Sequence, residues 1–404
     1  MLFRERLAVC LVPALLTAAP VLVVAQIQVD PPGAHQPRQL AAPRIAPLAE
    51  SAFDETQRQL AKRFFPSGRP DNGFRTLLRG PPLAEGMQPY TAYLSESSTL
   101  TARHRELLVL RAAWLYGNQA IWAAHAPRAR AAGLADADLR RIAEGPDAAG
   151  WLEFDAMLLR MADQLVRNTS VTEATWKALS ASYDLFHLMD AVETVNHFVV
   201  LSLLYNTLGV QPDEGLVDRL PTGVAYRLVV PTREPPLAVA RVEPVPGTAI
   251  AVSRTLARHP KLNEARSARA NFINRVSKLT PKHREMLILR IGWDCRSEYE
   301  WAKHVGSVGR ARDHGLEPRH IAEGPASPAW NPFERAILTS VDELYRDGLV
   351  SDATWKALST EFDQTSLMSA IFTASSYQAT SMVLNALGVQ LEPGDERFPQ
   401  FSSK

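Results

Sequence analysis

Apolar positions follow two patterns along this chain. One is a block near the N-terminus: Leu7 to Val24, preceded by Arg4 and Arg6, interrupted by Pro13 and Pro20, and running into Val23-Val24-Ala25 before Gln26. A basic start, an apolar middle and a small-residue V-x-A site predict a secretory signal peptide over residues 1–25, cleaved after Ala25. The alternative is a membrane anchor, which the short, proline-broken run disfavours. The expectation is therefore a periplasmic or secreted protein with no membrane attachment after cleavage. The second pattern has helical spacing, punctuated by capping residues. Thr280 caps a helix with Pro281 at its first position and Glu285 to Ile291 inside it. A helix over about 297–314 ends at Gly315, and a short one closes at Gly324-Pro325. Pro332 opens the next, Ser351 caps one carrying Trp355 and Leu358, and the last spans about 365–387 before Gly388. No segment alternates with the period of a strand, and beyond the N-terminal block no apolar run is read as long enough to span a membrane.

The helical pattern occurs twice. Ser98-x-Leu100-Thr101-x-x-His104-Arg105-Glu106 returns as Ser277-x-Leu279-Thr280-x-x-His283-Arg284-Glu285, an offset of 179 residues. The same offset carries Arg111 to Arg290, Trp122 to Trp301, His125 to His304, and Ala143-Glu144-Gly145-Pro146 to Ala322-Glu323-Gly324-Pro325. It carries Asn206-x-Leu208-Gly209-Val210-Gln211 to Asn385-x-Leu387-Gly388-Val389-Gln390, with no gap between about 75 and 211. Such agreement is the mark of a tandem duplication. The expected organisation is a Pro/Ala-rich flexible leader over 26–47, a first domain over 48–212, a Pro-rich linker over 213–247, a second domain over 248–391 and a tail over 392–404. Each domain should be an all-α bundle of about six helices.

Composition narrows the function. Hydrophobic residues make up 46% of the 404 and charged residues 22%, which is globular, and a net charge of +1 without a basic stripe argues against a nucleic-acid partner. The two cysteines are Cys10 and Cys295; cleavage removes the first, so no intramolecular disulfide can form. Cys295 is expected to be buried.

Candidate chemistry gathers in the second copy. Glu300 and His304 are four apart and share one helix face, so a carboxylate can orient an imidazole and raise its basicity. Glu285 can bring a second carboxylate from the neighbouring helix, and Arg290 an anion anchor. Tyr299, Trp293 and Trp301 are candidate pocket walls, with Trp122 their counterpart in the first copy. The first copy keeps Glu106, Arg111 and His125 but has Ile121 and Ala120 where the second has Glu300 and Tyr299. It also carries His187, Asp190, Glu193 and His197 on its last helix, where the second copy has Ser366, Ser369, Phe372 and Ser376. That cluster is either a polar face or a metal site; its spacing matches no strong metal motif.

Glu285 followed by Ser297-x-Tyr299-Glu300-Trp301-x-x-His304 resembles the helix-pair signature of the carboxymuconolactone decarboxylase-like (alkylhydroperoxidase D-like) superfamily, over about 140 residues of each copy. The resemblance implies two tandem all-α domains. It implies a cofactor-free, metal-free lyase or isomerase acting on a small unsaturated or aromatic-derived acid, such as a lactone acid, by proton transfer. Glu285, Glu300, His304 and Arg290 would carry the reaction. It also implies a homo-oligomer, a trimer of two-domain chains by analogy. The peroxidase branch uses a Cys-x-x-Cys-x-x-x-His motif. Ser297 and Glu300 stand at those cysteine positions here, and Asn118 and Ile121 in the first copy, so a peroxiredoxin-like activity would rest on Cys295 alone. The third reading is a non-enzymatic helical binding or scaffold protein.

Overall fold

The structure, a computed structural model, describes residues 40–66, 68–224 and 236–401. The expected signal peptide, the leader up to residue 39 and linker residues 225–235 lie outside them. The first copy contains α1 (Glu55–Phe64), α2 (Asn72–Leu77), α3 (Pro81–Ala92), α4 (Ala102–Leu115), α5 (Gln119–Ala131), α6 (Asp136–Glu144), α7 (Glu153–Asn168), α8 (Glu173–Ser180) and α9 (Leu185–Leu208). The second contains α10 (Ala251–Leu256), α11 (Pro260–Asn271), α12 (Pro281–Asp294), α13 (Glu298–Val305), α14 (Pro318–Glu323), α15 (Pro332–Asp347), α16 (Asp352–Leu358) and α17 (Gln364–Leu387). Among the described residues there is no strand. Seven of the eight helices α10–α17 start 179 residues after their counterparts in α2–α9; α14 starts late, and α1 has no counterpart among the described residues.

The two caps read from the sequence, Thr280 and Ser351, are present, and Thr101 caps at the same offset. The Thr101 and Thr280 hydroxyls accept the backbone N–H of His104 and His283, and Ser351 accepts that of Thr354. There are more helices than the six expected per copy, because short α2–α3 and α10–α11 precede the segment that carries the repeated motifs.

The centre of residues 29–399 is the pair α9 and α17, which pack on each other more extensively than any other two helices. α4 lies on α9 and α12 on α17, while α3 and α11 meet across the two copies. At 24 residues, α9 is long and apolar enough to cross a membrane, which the sequence reading did not anticipate; nearly all of it is buried against protein. Core residues such as Ile371 and Phe372 are fully enclosed, so truncating either to alanine costs about 2–5 kcal/mol.

Residues 40–47, expected to be flexible, run along this core. Ile45 is buried, and Arg44 donates through Nη1 to the carbonyls of Thr207 (3.1 Å) and Val350 (2.8 Å) and through Nη2 to Asp352 (2.6 Å). Arg241, in the linker, repeats this on the other side: Nη1 to Val171 O (2.8 Å) and Ala386 O (3.0 Å), with Glu173 at 3.0 Å. Arg44 lies over Trp355 and Arg241 over Trp176, each 5.1 Å from the ring centroid. Each arginine thus ties the end of its own copy's long helix to the short helix of the other copy. The Gln of the repeated Asn-x-Leu-Gly-Val-Gln serves the same straps: Gln211 and Gln390 donate to Leu40 O and Leu237 O.

Candidate active site in the second copy

Glu285 lies on α12, and Glu300 and His304 lie one turn apart on α13. The connection between the two helices turns through Arg296, whose φ of 52° is left-handed. His304 Nδ1 is 2.6 Å from Glu285 Oε2, and its Nε2 is 2.9 Å from Glu300 Oε1. All three are buried, at 1%, 5% and 3% exposure for Glu285, Glu300 and His304. Burial alone would strip the proton from the imidazole, but Glu285 and then Glu300 overcome it and push the pKa of His304 up to about 10. Burial likewise raises Glu285, and His304 and Arg284 more than reverse it, leaving that carboxylate below its ordinary pKa. At neutral pH the arrangement is an imidazolium between two carboxylates, both of its protons engaged.

The helix expected over 297–314 is broken immediately after this histidine. α13 ends at Val305, and a short 3-10 turn, Ala311–His314, follows. The break carries the chain across Glu285: a Cβ on Gly309 would lie 2.1 Å from Glu285 Oε2 and 2.5 Å from His304 O. The first copy has Pro127 and Arg130 at the positions of Gly306 and Gly309, and α5 continues.

A cleft of about 610 Å³ opens beside the triad, lined by Glu300, His304, Ser376, Tyr377, Arg266 and Arg269. Tyr299, one of the expected wall residues, also borders it, and its hydroxyl accepts the Val252 N–H at 3.0 Å. Tyr377 meets His304 edge-on, 5.1 Å between centroids. Burial, then Glu300 and Glu285, push the Tyr377 phenol far above its ordinary pKa, so it remains an O–H donor.

Other expected residues are placed elsewhere. Arg290 does not face the cleft. Its Nε and Nη2 pair with Asp342 at 2.5 and 3.1 Å, and Nη1 donates to Ile321 O and Ala322 O at 3.2 and 3.1 Å. Every direction of the guanidinium is spent on joining α12 to α14 and α15, which leaves none for an anion. Arg111 does the same with Asp163, Ile142 O and Ala143 O. This accounts for the repeated Glu-Gly-Pro: Gly145 and Gly324 have φ of +107° and +79°, and a Cβ on either would lie 2.9 Å from the arginine. Trp151 and Trp330 donate to those glycine carbonyls. Trp293 and Trp301 do not wall the cleft but pack together with Phe398, and Trp122 packs with Trp114.

In the first copy His125 Nδ1 is 2.7 Å from Glu106 Oε2, but Ile121 replaces Glu300 and Phe198 replaces Tyr377, edge-on at 5.0 Å. The half-site keeps one of the two carboxylates that meet the second copy's histidine. The four residues of the second cluster do not converge. His187 pairs with Asp184 at 2.7 Å; Asp190 accepts Tyr93 and Thr99 and lies 3.2 Å from His259; Glu193 accepts Tyr90 at 2.6 Å; His197 meets Thr91 at 3.0 Å. Three of them bind the first copy's own helices or the second copy, and burial holds the His197 pKa down at about 3, so that side chain is neutral. Among the described residues no group of three His, Cys, Asp or Glu side chains is placed to hold a metal. Cys295 is fully buried at the C-terminus of α12, against a groove of about 700 Å³ distinct from the cleft.

Sequence reasoning missed Arg266 and Arg269. Their signal was divergence at the repeat offset: the first copy has Met87 and Tyr90 at those positions, on the helix just upstream of the motifs.

The fold is all-α, and a glutamate and a histidine from successive helices form a buried dyad once in each copy. Residues 81–159, from α3 into α7, match the model of the carboxymuconolactone decarboxylase family. The matched segment contains Glu106, Arg111, Trp122 and His125. Searches among curated proteins and among solved structures find no match.

Proposed function

We propose that the cleft of the second copy is the active site of an enzyme that moves a proton on a small unsaturated or aromatic-derived acid, as a decarboxylase or an isomerase. The observation that carries this reading is the buried triad Glu285–His304–Glu300 opening onto the cleft. With both nitrogens donating, His304 is no base. Glu300 is the cleft-lining carboxylate, so it takes that part, and the imidazolium fixes it and holds a proton at Nε2. In an isomerisation Glu300 would accept a proton from one carbon and return it to another. In a decarboxylation the bond to the leaving carboxylate breaks, its electrons pass into a conjugated carbonyl, and a proton delivered from His304 through Glu300 closes the new C–H bond. The Tyr377 O–H supports the oxygen on which negative charge develops.

The cleft beside Glu300 and His304 favours this reading over a scaffold. Cys295 has no exposure through which a peroxide could reach it, so peroxide consumption unchanged in Cys295→Ser is the expected result. The test of the main reading is a panel of unsaturated lactone acids incubated in D2O with the purified protein, with CO2 release and deuterium uptake followed by mass spectrometry. Turnover lost by a factor of about 10² or more in His304→Gln supports it. No CO2 and no deuterium in any acid would remove it.

A further inference from the structure

Four buried cations border the cleft, and three of them are paired. Arg266 lies 2.5 Å from Glu193, Lys303 lies 2.6 and 2.7 Å from Glu392 and Asp395, and His304 stands between its two carboxylates. The fourth is Arg269. It is 4% exposed, its Nη1 is buried without a hydrogen-bond partner, and it makes no ion pair. It lies over the face of Tyr90 in the first copy, 4.8 Å from the guanidinium carbon to the ring centroid. Tyr90 is itself fixed: fully buried, it donates its O–H to Glu193 at 2.6 Å, and the other Glu193 oxygen pairs with Arg266.

A guanidinium removed from water without a counter-charge is unfavourable, and an aromatic face offsets only part of that. A carboxylate provides two acceptors in the geometry of the guanidinium fork. We infer that Arg269 anchors the carboxylate of the ligand taken by the second-copy cleft, and that the first copy, through Tyr90 and Glu193, holds the anchor in place. The charge count sets the ligand class. Around the triad the charges balance, Glu285 and Glu300 against His304 and Arg284, which leaves Arg269 as the buried cation without an ion pair and suits a carboxylate ligand. Ile250, Val252, Leu256 and Ile273 line part of the remaining wall, beside Asn263, Asn271 and Asn274. The fitting ligand is a monocarboxylate with a short apolar or unsaturated body. The anchor is absent from the first copy, where Met87 and Tyr90 occupy the two arginine positions. The divergence of the copies then has a physical sense: one carries the cleft, and the other supplies the support for its anion end.

This inference rests on the active-site reading for the place of the ligand but is tested without turnover. Isothermal titration calorimetry of the whole chain with sorbate, its neutral isostere sorbamide, and inorganic phosphate measures the charge requirement directly. Sorbate should bind roughly tenfold or more tightly than sorbamide. Arg269→Gln should bring sorbate down to the sorbamide level, Arg269→Lys should recover part of it, and Tyr90→Leu should weaken sorbate while leaving sorbamide unchanged. If Arg269→Gln fails to fold, the sorbate-to-sorbamide ratio in the unaltered protein decides. Equal binding of the two, undiminished sorbate binding in folded Arg269→Gln, tighter binding of phosphate, or no binding at all would each overturn the inference. Sorbate bound through Arg269 with no proton exchange on any acid would leave it standing and remove the catalytic reading. Turnover indifferent to Arg269→Gln would do the reverse.

Discussion

A histidine buried in hydrocarbon gives up its proton; His304 keeps one because a carboxylate meets each ring nitrogen. The consequence for pH follows from the sign. Its folded pKa of about 10 lies above the ordinary 6.5, so its contribution to stability is complete below about 6.5 and is lost as pH rises toward 10. Glu285, held below its ordinary 4.5, contributes above that value and ceases to as acid protonates it. The urea midpoint should therefore fall from neutral pH toward about 10 in the unaltered chain, and Glu285→Gln or His304→Gln should flatten that slope. Glu285→Gln, which leaves half of a buried pair, should also cost about 3–5 kcal/mol at neutral pH. Arg290 gives a different prediction at the same scale. Arg290→Lys loses the fork to Asp342 and the caps on Ile321 and Ala322, so denaturation should show a loss of about 3–5 kcal/mol, while ligand affinity in the folded fraction is unchanged. The residue types of the site and the two carboxylates beside His304 were legible in the sequence; the partners of Arg290 were not. Arg290 offered an anion anchor only as long as Asp342, 52 positions away, was not known to occupy it.

At the scale of elements, hydrophobic period and caps predicted most helices of the second copy, and the break after His304 is the instructive exception. A pattern from 297 to 314 reads as one helix, yet Gly306 and Gly309 allow the chain to leave it and cross Glu285. No side chain fits at residue 309, because its Cβ would overlap the carboxylate and the His304 backbone. Gly309→Ala should thus displace Glu285, lower the His304 pKa and reduce turnover, with helix content by circular dichroism unchanged. A 15N-resolved histidine titration checks the pKa; an imidazole still protonated as in the unaltered chain would contradict the role given to the break. The first copy, with Pro127 and Arg130 at these positions and a continuous α5, has no such crossing. Residues 40–47 teach a related point. A run of prolines and alanines reads as a flexible leader, but Arg44 finds two carbonyls and an aspartate that only the folded chain brings together.

Over the whole molecule, the all-α class could be read from one sequence by its helical period, and the repeat by motifs that recur at one offset without gaps. How the copies join could not, since the contacts between α9 and α17 and the paired straps connect residues more than a hundred positions apart. The two copies share a core, so they should unfold in one transition, and residues 40–212 expressed alone should fail to give a cooperative one, because α9 would be stripped of its cover. Removing a strap is milder. Arg44→Ala or Arg241→Ala uncovers two carbonyls and an exposed ion pair, a loss of about 1–3 kcal/mol in urea unfolding.

The division of labour between the copies is the central claim, and matched variants at the same position of each copy test it most directly. Glu285→Gln and Glu106→Gln remove the equivalent carboxylate from the two dyads, and Glu300→Gln removes the one that the first copy lacks. The quantity to measure is the rate of solvent deuterium incorporation into an accepted acid. Losses of about 10² or more for Glu300→Gln and Glu285→Gln, with Glu106→Gln within a factor of about three, are predicted. Equal losses in the two copies, or a loss confined to Glu106→Gln, would contradict the assignment of the chemistry to the second copy.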